Sequence, residues 1–457
     1  MNGDNNGQTF SLGLTLRLSS FHIGSAMGDI LVTSIWNRIM ISNFGIPAAP
    51  VSFLIALRYL LFPVSLWAGF MSDTKPLFGL RRTYYIWLGR GMMVVSLPLL
   101  GLSLSRLELV QSDFLGWGFA VLSSLMYGVG LLISGSPFLA LVRDSAPKAK
   151  QGIAISMVQT ALIIFFALVG IGFSYWMQAY DAAIFWQMAL TTMIGGGLLW
   201  YLAIAGVEKN ILARAVMSPP TTESRLNLAA FSATFKKIWA DSRTRGFFIF
   251  LSLATAAAWA QDAILEPFGA ETFNLPVSQT TRFNAYWQGA TVVTLIAGAI
   301  LWRKRPPETH SNLTSGGLWG MVVGMAALTA ASLSGQVSLI PLSLLLFGGG
   351  FGVYTFGGLS LMAVMSSDKE AGLYLGLWTI AVTVFKGLGV FLGGAIRDFL
   401  LLNLGLPATI SYGVIFALEA LGLMAAALIL LQVDVLGFAQ EMGRGYGRTE
   451  AQIASAD

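Results

Sequence analysis

"GFMSDTKPLFGLRR", Gly69 to Arg82, is the stretch on which the fold turns. An apolar run over 50–72 leads into it and a second, over 84–104, leaves it. Each is close to the roughly 20 residues that an α-helix needs to cross a bilayer. The short polar connection holds Lys75, Arg81 and Arg82. Gly69 allows two helices to approach closely. Asp73, at a helix end, can accept hydrogen bonds from a neighbouring helix N-terminus or from an arginine.

The rest of the chain repeats this pattern. Of 457 residues, 55% are hydrophobic and 11% charged, and the mean hydropathy is +0.71. A soluble globular domain carries about 25% charged residues. Between Glu308 and Asp368 only His310 is acidic or basic, so that stretch holds two spans separated by a turn near "SLSGQVS". Apolar runs bounded by charged or Gly/Pro/Asn clusters predict twelve spans, at 18–42, 50–72, 84–104, 114–142, 150–174, 183–206, 246–268, 282–302, 315–334, 339–365, 371–399 and 408–432. The fold class is an all-α membrane protein. Its expected parts are an N-terminal tail (1–17), a six-helix half (18–206), a central loop (207–245) with "MSPPTTESR" and "FKKIW", a second six-helix half (246–432) and a C-terminal tail (433–457).

A net charge of +5 and a pI near 9.4 raise the question of nucleic acid. The basic residues instead collect in alternate loops, which is the signature of membrane topology, and no nucleic-acid partner is expected. With the N-terminus cytoplasmic, inner loops carry Lys75, Arg81, Arg82, Arg143, Lys148, Lys150, Lys209, Arg214, Arg225, Lys236, Lys237, Arg243, Arg245, Arg303, Lys304, Arg305 and Lys369. Outer loops and helix ends carry only Arg38, Arg106, Arg282 and Arg397, which predicts N-in and C-in with both tails cytoplasmic. "MNGDNNGQTF" lacks a basic n-region, so no cleaved signal peptide is expected. The absence of cysteine excludes disulfides and thiolate metal sites. There is no Walker motif, HExxH or nucleophile elbow, and only two histidines, so no enzyme and no metal centre is predicted. Gly-rich runs such as "FGGGFG" (347–352) and "FKGLGVFLGG" (385–394) lie inside spans, where Gly serves close packing and bending.

The opening loop resembles the first conserved loop of the major facilitator superfamily in its Gly69, Asp73, Gly79, Arg81 and Arg82. The resemblance implies an inner-loop gating motif; an ordinary basic loop is the plainer alternative. "RDSAPKAKQG" before span 5 and "MSSDKEAG" before span 11 fit two parallel halves of six spans.

Acids inside the spans are the second signal, because a charge in the membrane is costly and marks a functional site by default. In "AWAQDAILEPFGAETF", 258–273, Asp262 and Glu266 stand at i and i+4, before Pro267. Asp262 lies fifteen residues beyond Phe247, roughly 22 Å up the span. Asp29, Arg58 and Lys386 are also mid-span. These five residues read either as cleft charges forming a polar site or gate, or as salt bridges that fix helix packing. Glu266–Pro267 is also a natural helix end. Glu419, near the middle of span 12, faces a partner subunit, snorkels or is protonated.

"QDAILEPFG" (261–269) resembles the corresponding segment of the PucC/LhaA-type proteins, the bacteriochlorophyll delivery branch of the major facilitators. "WNRIMISNFGIPAAPVSFLIAL" (36–57), "SDTKPLFGLRRTYYIWLG" (72–89), "ALVRDSAP" and "LGGAIRD" (392–398) agree, so the resemblance spans about residues 15 to 432. His22 and Asp29 depart from it, since span 1 is expected to be less polar in that family. The resemblance implies an integral membrane factor for assembling light-harvesting or other chlorophyll–protein complexes, handing pigment to nascent antenna polypeptides. It implies antenna or photosystem polypeptides, pigment-synthesis proteins and membrane lipid as partners. It also implies a bacterial inner, intracytoplasmic or thylakoid membrane as the location. Chlorophyll or bacteriochlorophyll would then be a transient ligand, with no group bound covalently. Its magnesium needs one axial donor, for which His22 and Gln261, then Asn37 and Gln159, are candidates; such residues more often bond a neighbouring helix. The residues alone favour a different class, a proton-coupled secondary transporter of a small solute working through Asp29, Asp262 and Lys386.

Overall fold

All twelve predicted spans are helical in the computed structural model, which describes residues 10–147, 150–214, 236, 239–302, 310–366 and 371–441. Lys148, Arg225, Lys237, Arg303, Lys304, Arg305 and Lys369, most of the central loop and both chain ends lie outside the described residues. Ten helices among the described residues are long and apolar enough to cross a membrane. The helices at spans 1 and 8 are more polar, the first carrying Arg17, Asp29 and Arg38 and the other Arg282 and Asn284. The protein is a multi-pass integral membrane protein.

In order, the helices are α1 (Leu12–Ile30), continued by π-helical turns over Leu31–Trp36 and Ile39–Asn43, α2 (Ala48–Leu60), α3 (Pro63–Thr74), α4 (Thr83–Leu107), α5 (Phe114–Asp144), α6 (Gln151–Trp176), α7 (Ala182–Thr191), α8 (Gly197–Ile204) and α9 (Val207–Arg214). Then follow α10 (Ser242–Ala260), α11 (Leu265–Phe273), α12 (Val277–Thr280), α13 (Arg282–Leu301), α14 (Ser311–Ser334), α15 (Leu339–Val364), α16 (Ala371–Asp398), α17 (Ala408–Gln432) and α18 (Val435–Glu441). Their starts follow local chemistry. Ser11, Asp113, Asp181 and Asp241 cap α1, α5, α7 and α10 with side-chain oxygens that accept from backbone N–H groups of the first turn.

The chain divides into two compact units. The first holds the described residues of Met1–Pro220 with Ala263–Gln288 and Gly394–Asp398; the second holds those of Thr221–Asp262, Gly289–Gly393 and Phe399–Asp457. Within each unit a glycine contact sets one tight helix pair. In the first, Gly89 of α4 lies against Gly130 of α5 with no room for a Cβ on either. In the second, Gly317 of α14 lies as tightly against α15 at Gly350 and Tyr354. By contrast, only 11% of the apolar window of α6 is buried by protein, so lipid must cover the rest.

Three expectations need correction. Span 7 is not one regular helix: α10 ends at Ala260, residues 261–264 form a turn, and α11 restarts at Leu265. Asp262 and Glu266 are therefore not neighbours on one helical face, and they belong to different units. Pro267 does not end a helix either. It stands in the first turn of α11, where the missing N–H costs nothing. Glu419 is 3% exposed, so it faces the interior of its unit and neither a partner subunit nor lipid.

Candidate functional sites

The inner loop is built around a turn. Phe78 and Gly79 both have positive φ, at 50° and 80°, and Leu77 and Leu80 exchange backbone hydrogen bonds of 2.9 and 3.0 Å. Two successive left-handed residues define the tight turn that glycine favours, and that is the role of Gly79. Arg82 then lies between two acids, 3.2 Å from Asp73 and 2.9 Å from Asp144 at the end of α5. Gly69 has only a loose contact with Ser136, and Arg81 contributes a backbone N–H. A buried carboxylate that the sequence reading missed organises the site. Glu208 of α9 accepts from the backbone N–H groups of Arg81, Arg82 and Thr83 at 2.6, 3.0 and 2.8 Å, and from the Thr83 hydroxyl at 2.6 Å. Asp73 is 62% exposed, so Asp73→Asn is expected to change thermal stability by less than about 1 kcal/mol. Unfolding of the purified variant checks this, and any larger loss would place Asp73 in a tighter network than this geometry allows.

Parts of three of the stretches that carry the family resemblance meet within the first unit. Glu266 of α11 is buried and accepts from the Ser34 hydroxyl and, at 2.9 Å, from Asn284 Nδ2. Asn37 Nδ2 donates to Ala263 O at 2.6 Å, and Arg38 donates to Leu275 O at 2.9 Å. Asp398 accepts from the N–H groups of Ala48 and Ala49 at 2.9 and 2.7 Å, capping α2 from 350 and 349 residues away. Beside it, Arg397 Nη2 is 2.6 Å from both oxygens of Glu271. The "QDAILEP", "WNRIMISNFGIPAA" and "GGAIRD" segments thus form one hydrogen-bonded knot. Buried polar groups have to be paired, and here the pairing joins α1, α2, α11, α13 and the end of α16. Glu266 serves this knot.

Each unit also contains a cavity. The first, of about 260 Å³, is lined by residues of α1, α4, α5 and α6, including His22, Ser25, Asp29, Arg90, Tyr127, Gly135 and Gln159. Asp29 forms an ion pair with Arg58 and lies 3.5 Å from the Tyr127 hydroxyl, while Arg58 also donates to Tyr59 Oη at 2.6 Å. The structure thus brings together two of the predicted cleft charges. The second cavity, of about 220 Å³, is lined by Thr255, Trp259, Phe351, Tyr354 and Lys386 among others. Lys386 Nζ sits 3.1 Å from the centroid of the Trp259 ring, a cation–π contact.

His22 is 6% exposed and neither ring nitrogen has a hydrogen-bond partner among the described residues. Gln261 is buried, with Nε2 3.4 Å from Ala258 O and no partner for Oε1 among the described residues. Both have the donor chemistry that a chlorophyll magnesium accepts. The enclosure does not match, since drug-sized ligands already occupy pockets of about 300–1,000 Å³ and a tetrapyrrole is larger. The His22 cavity therefore does not enclose a whole pigment.

Comparison with known proteins follows the same lines. The family described as PUCC protein matches residues 35–438. "Protein PucC" of Rhodovulum sulfidophilum is 29% identical over 401 residues, covering 84% of each chain. The "Bacteriochlorophyll synthase 44.5 kDa chain" of Rhodobacter capsulatus is 27% identical, over 92% of this chain and 94% of that one. Among solved structures, a POT family transporter in complex with a thioalcohol conjugated peptide superposes with a TM-score of 0.65 at 13% identity, over 94% of this chain and 96% of that one. A bacterial homolog of the human lysosomal transporter Spinster gives 0.60 at 14% identity, over 95% and 98%. At such identities these two matches speak for the fold alone. The chain has the major facilitator fold and belongs to the PucC family.

Proposed function

We propose that this chain is a photosynthetic membrane assembly factor, without enzymatic activity, that holds or hands over (bacterio)chlorophyll while antenna or photosystem polypeptides are assembled. Membership of the PucC family carries this reading, and the relative named as a bacteriochlorophyll synthase chain supports it. Partners are antenna polypeptides and pigment-synthesis proteins in the same bacterial inner, intracytoplasmic or thylakoid membrane. Because the His22 cavity is too small for a macrocycle, pigment contact falls to a larger surface of the protein. A second reading, a proton-coupled transporter of a small solute, draws on the cavity lined by Asp29, whose carboxylate is paired with Arg58.

Affinity purification of the tagged protein from its native membranes in mild detergent tests the choice. A chlorophyll-type absorption band with antenna or pigment-synthesis chains in the eluate is the expected result. A colourless eluate without such chains, while a control complex keeps its pigment, favours the transporter and makes proton-coupled uptake by Asp29→Asn the next measurement.

A further inference from the structure

We propose that Arg90 forms an anion-binding subsite in the first-unit cavity, which takes a single carboxylate or phosphate group on an apolar body. The inference does not depend on pigment handling. Arg90 lies about two turns into α4 and is 5% exposed. Its guanidinium lies against two rings, 4.4 Å from the centroid of Phe21 and 4.8 Å from that of Trp200, which are tilted by 53° to each other. Its polar contacts are Nη1 to Ser25 Oγ at 3.2 Å and to Met93 Sδ at 3.3 Å. Nε is buried without a hydrogen-bond partner, and no carboxylate among the described residues lies within ion-pair distance. The carboxylate lining the same cavity, Asp29, is taken by Arg58.

An arginine keeps its charge in proteins. A buried charge is retained at such a place when partners offset its desolvation; the two rings do part of this, and an anion entering the cavity would supply the charge-assisted hydrogen bond that Nε lacks. The cavity supplies the room. Arg90 and His22 both line it, with the polar Ser25, Asp29, Tyr127 and Gln159, and Leu131, Phe138, Leu139, Leu162 and Phe166 give it apolar surface. The unpartnered imidazole of His22 adds a hydrogen-bonding group beside the guanidinium. At about 260 Å³ the space suits a small amphiphilic anion, or the charged end of a lipid or other long molecule.

The test uses the full chain purified in neutral detergent, with thermal unfolding as the readout and octanoate, octanol and octylammonium as probes. Octanoate is expected to stabilise the protein at concentrations at least about tenfold below those needed for octanol, as charge-assisted hydrogen bonds require. Octylammonium should give no shift beyond that of octanol. Arg90→Gln should abolish the preference for octanoate. Gly135→Leu provides a second variant, because a Cβ there meets nothing within 4 Å and the residue lines the cavity. It should fold, plug the space and also lose the octanoate effect.

Reconstitution in nanodiscs separates the sources of the anion. Stabilisation by phosphatidylglycerol over phosphatidylcholine, lost in both variants, assigns the site to a lipid headgroup. Octanoate binding without that lipid effect assigns it to a free carboxylate. Equal responses to the three octyl probes together with no lipid preference, or effects that persist in both variants, overturn the proposal.

Discussion

Replacing Glu208 by alanine is expected to destabilise the protein by on the order of 3 kcal/mol or more, because charge-assisted hydrogen bonds contribute about 1.5–3 kcal/mol each. Its carboxylate is 5% exposed and accepts from three consecutive backbone N–H groups and one hydroxyl at the start of α4. The first N–H groups of a helix have no partner inside it and carry the positive end of its dipole. Alanine would leave those donors buried and unmet. Glu208→Gln should fall between, since its amide keeps one acceptor oxygen but turns an N–H₂ group toward donors. Thermal unfolding of the detergent-solubilised variants measures the order wild type, Gln, Ala. An alanine variant as stable as the wild type would mean that water replaces the carboxylate and that Glu208 does not hold the loop.

Arg397→Met carries the other large effect, a loss of about 3–5 kcal/mol, the usual result of removing one partner from a buried pair. Arg397 is 5% exposed, lies 2.6 Å from both oxygens of Glu271, and is 2.8 Å from Asp398. Without it two carboxylates are left close together, and one of them also caps α2. The double variant Arg397→Met/Glu271→Met should recover part of the loss, because it removes the stranded charge along with its partner. A double-mutant cycle by thermal unfolding reads the coupling. Additive losses would show that the two residues stabilise the knot independently.

The charges of the candidate sites were only partly legible in the sequence. Asp29, Arg58, Glu266 and Lys386 stand out because each interrupts an apolar run. Arg90 gives the same signal in "WLGRGMM" and would be found by the same rule, that an ionisable residue in a span is functional by default. Glu208, Glu271, Arg397 and Asp398 give no such signal, since they sit in loops or near span ends, where charge is ordinary. Apart from the contact between neighbours Arg397 and Asp398, their partners are 125 or more residues away along the chain, and no local pattern encodes such a distance. The i, i+4 spacing of Asp262 and Glu266 misled for a related reason. Spacing implies a shared face only where the helix is continuous, and the turn at 261–264 interrupts it.

The sequence by itself determined the membrane class, the helical segments at the predicted spans and the family. These follow from apolar run length, from the period of charged loops and from local motifs, all of which act over about 20 residues or fewer. Tertiary structure alone decided which charges meet. It set Asp29 against Arg58, tied Glu266 into a knot of distant segments, placed Lys386 on Trp259, and left Arg90 beside a cavity with no carboxylate of the described residues within ion-pair distance. The cost of a buried charge depends on its partners, and those partners become neighbours only when the helices pack.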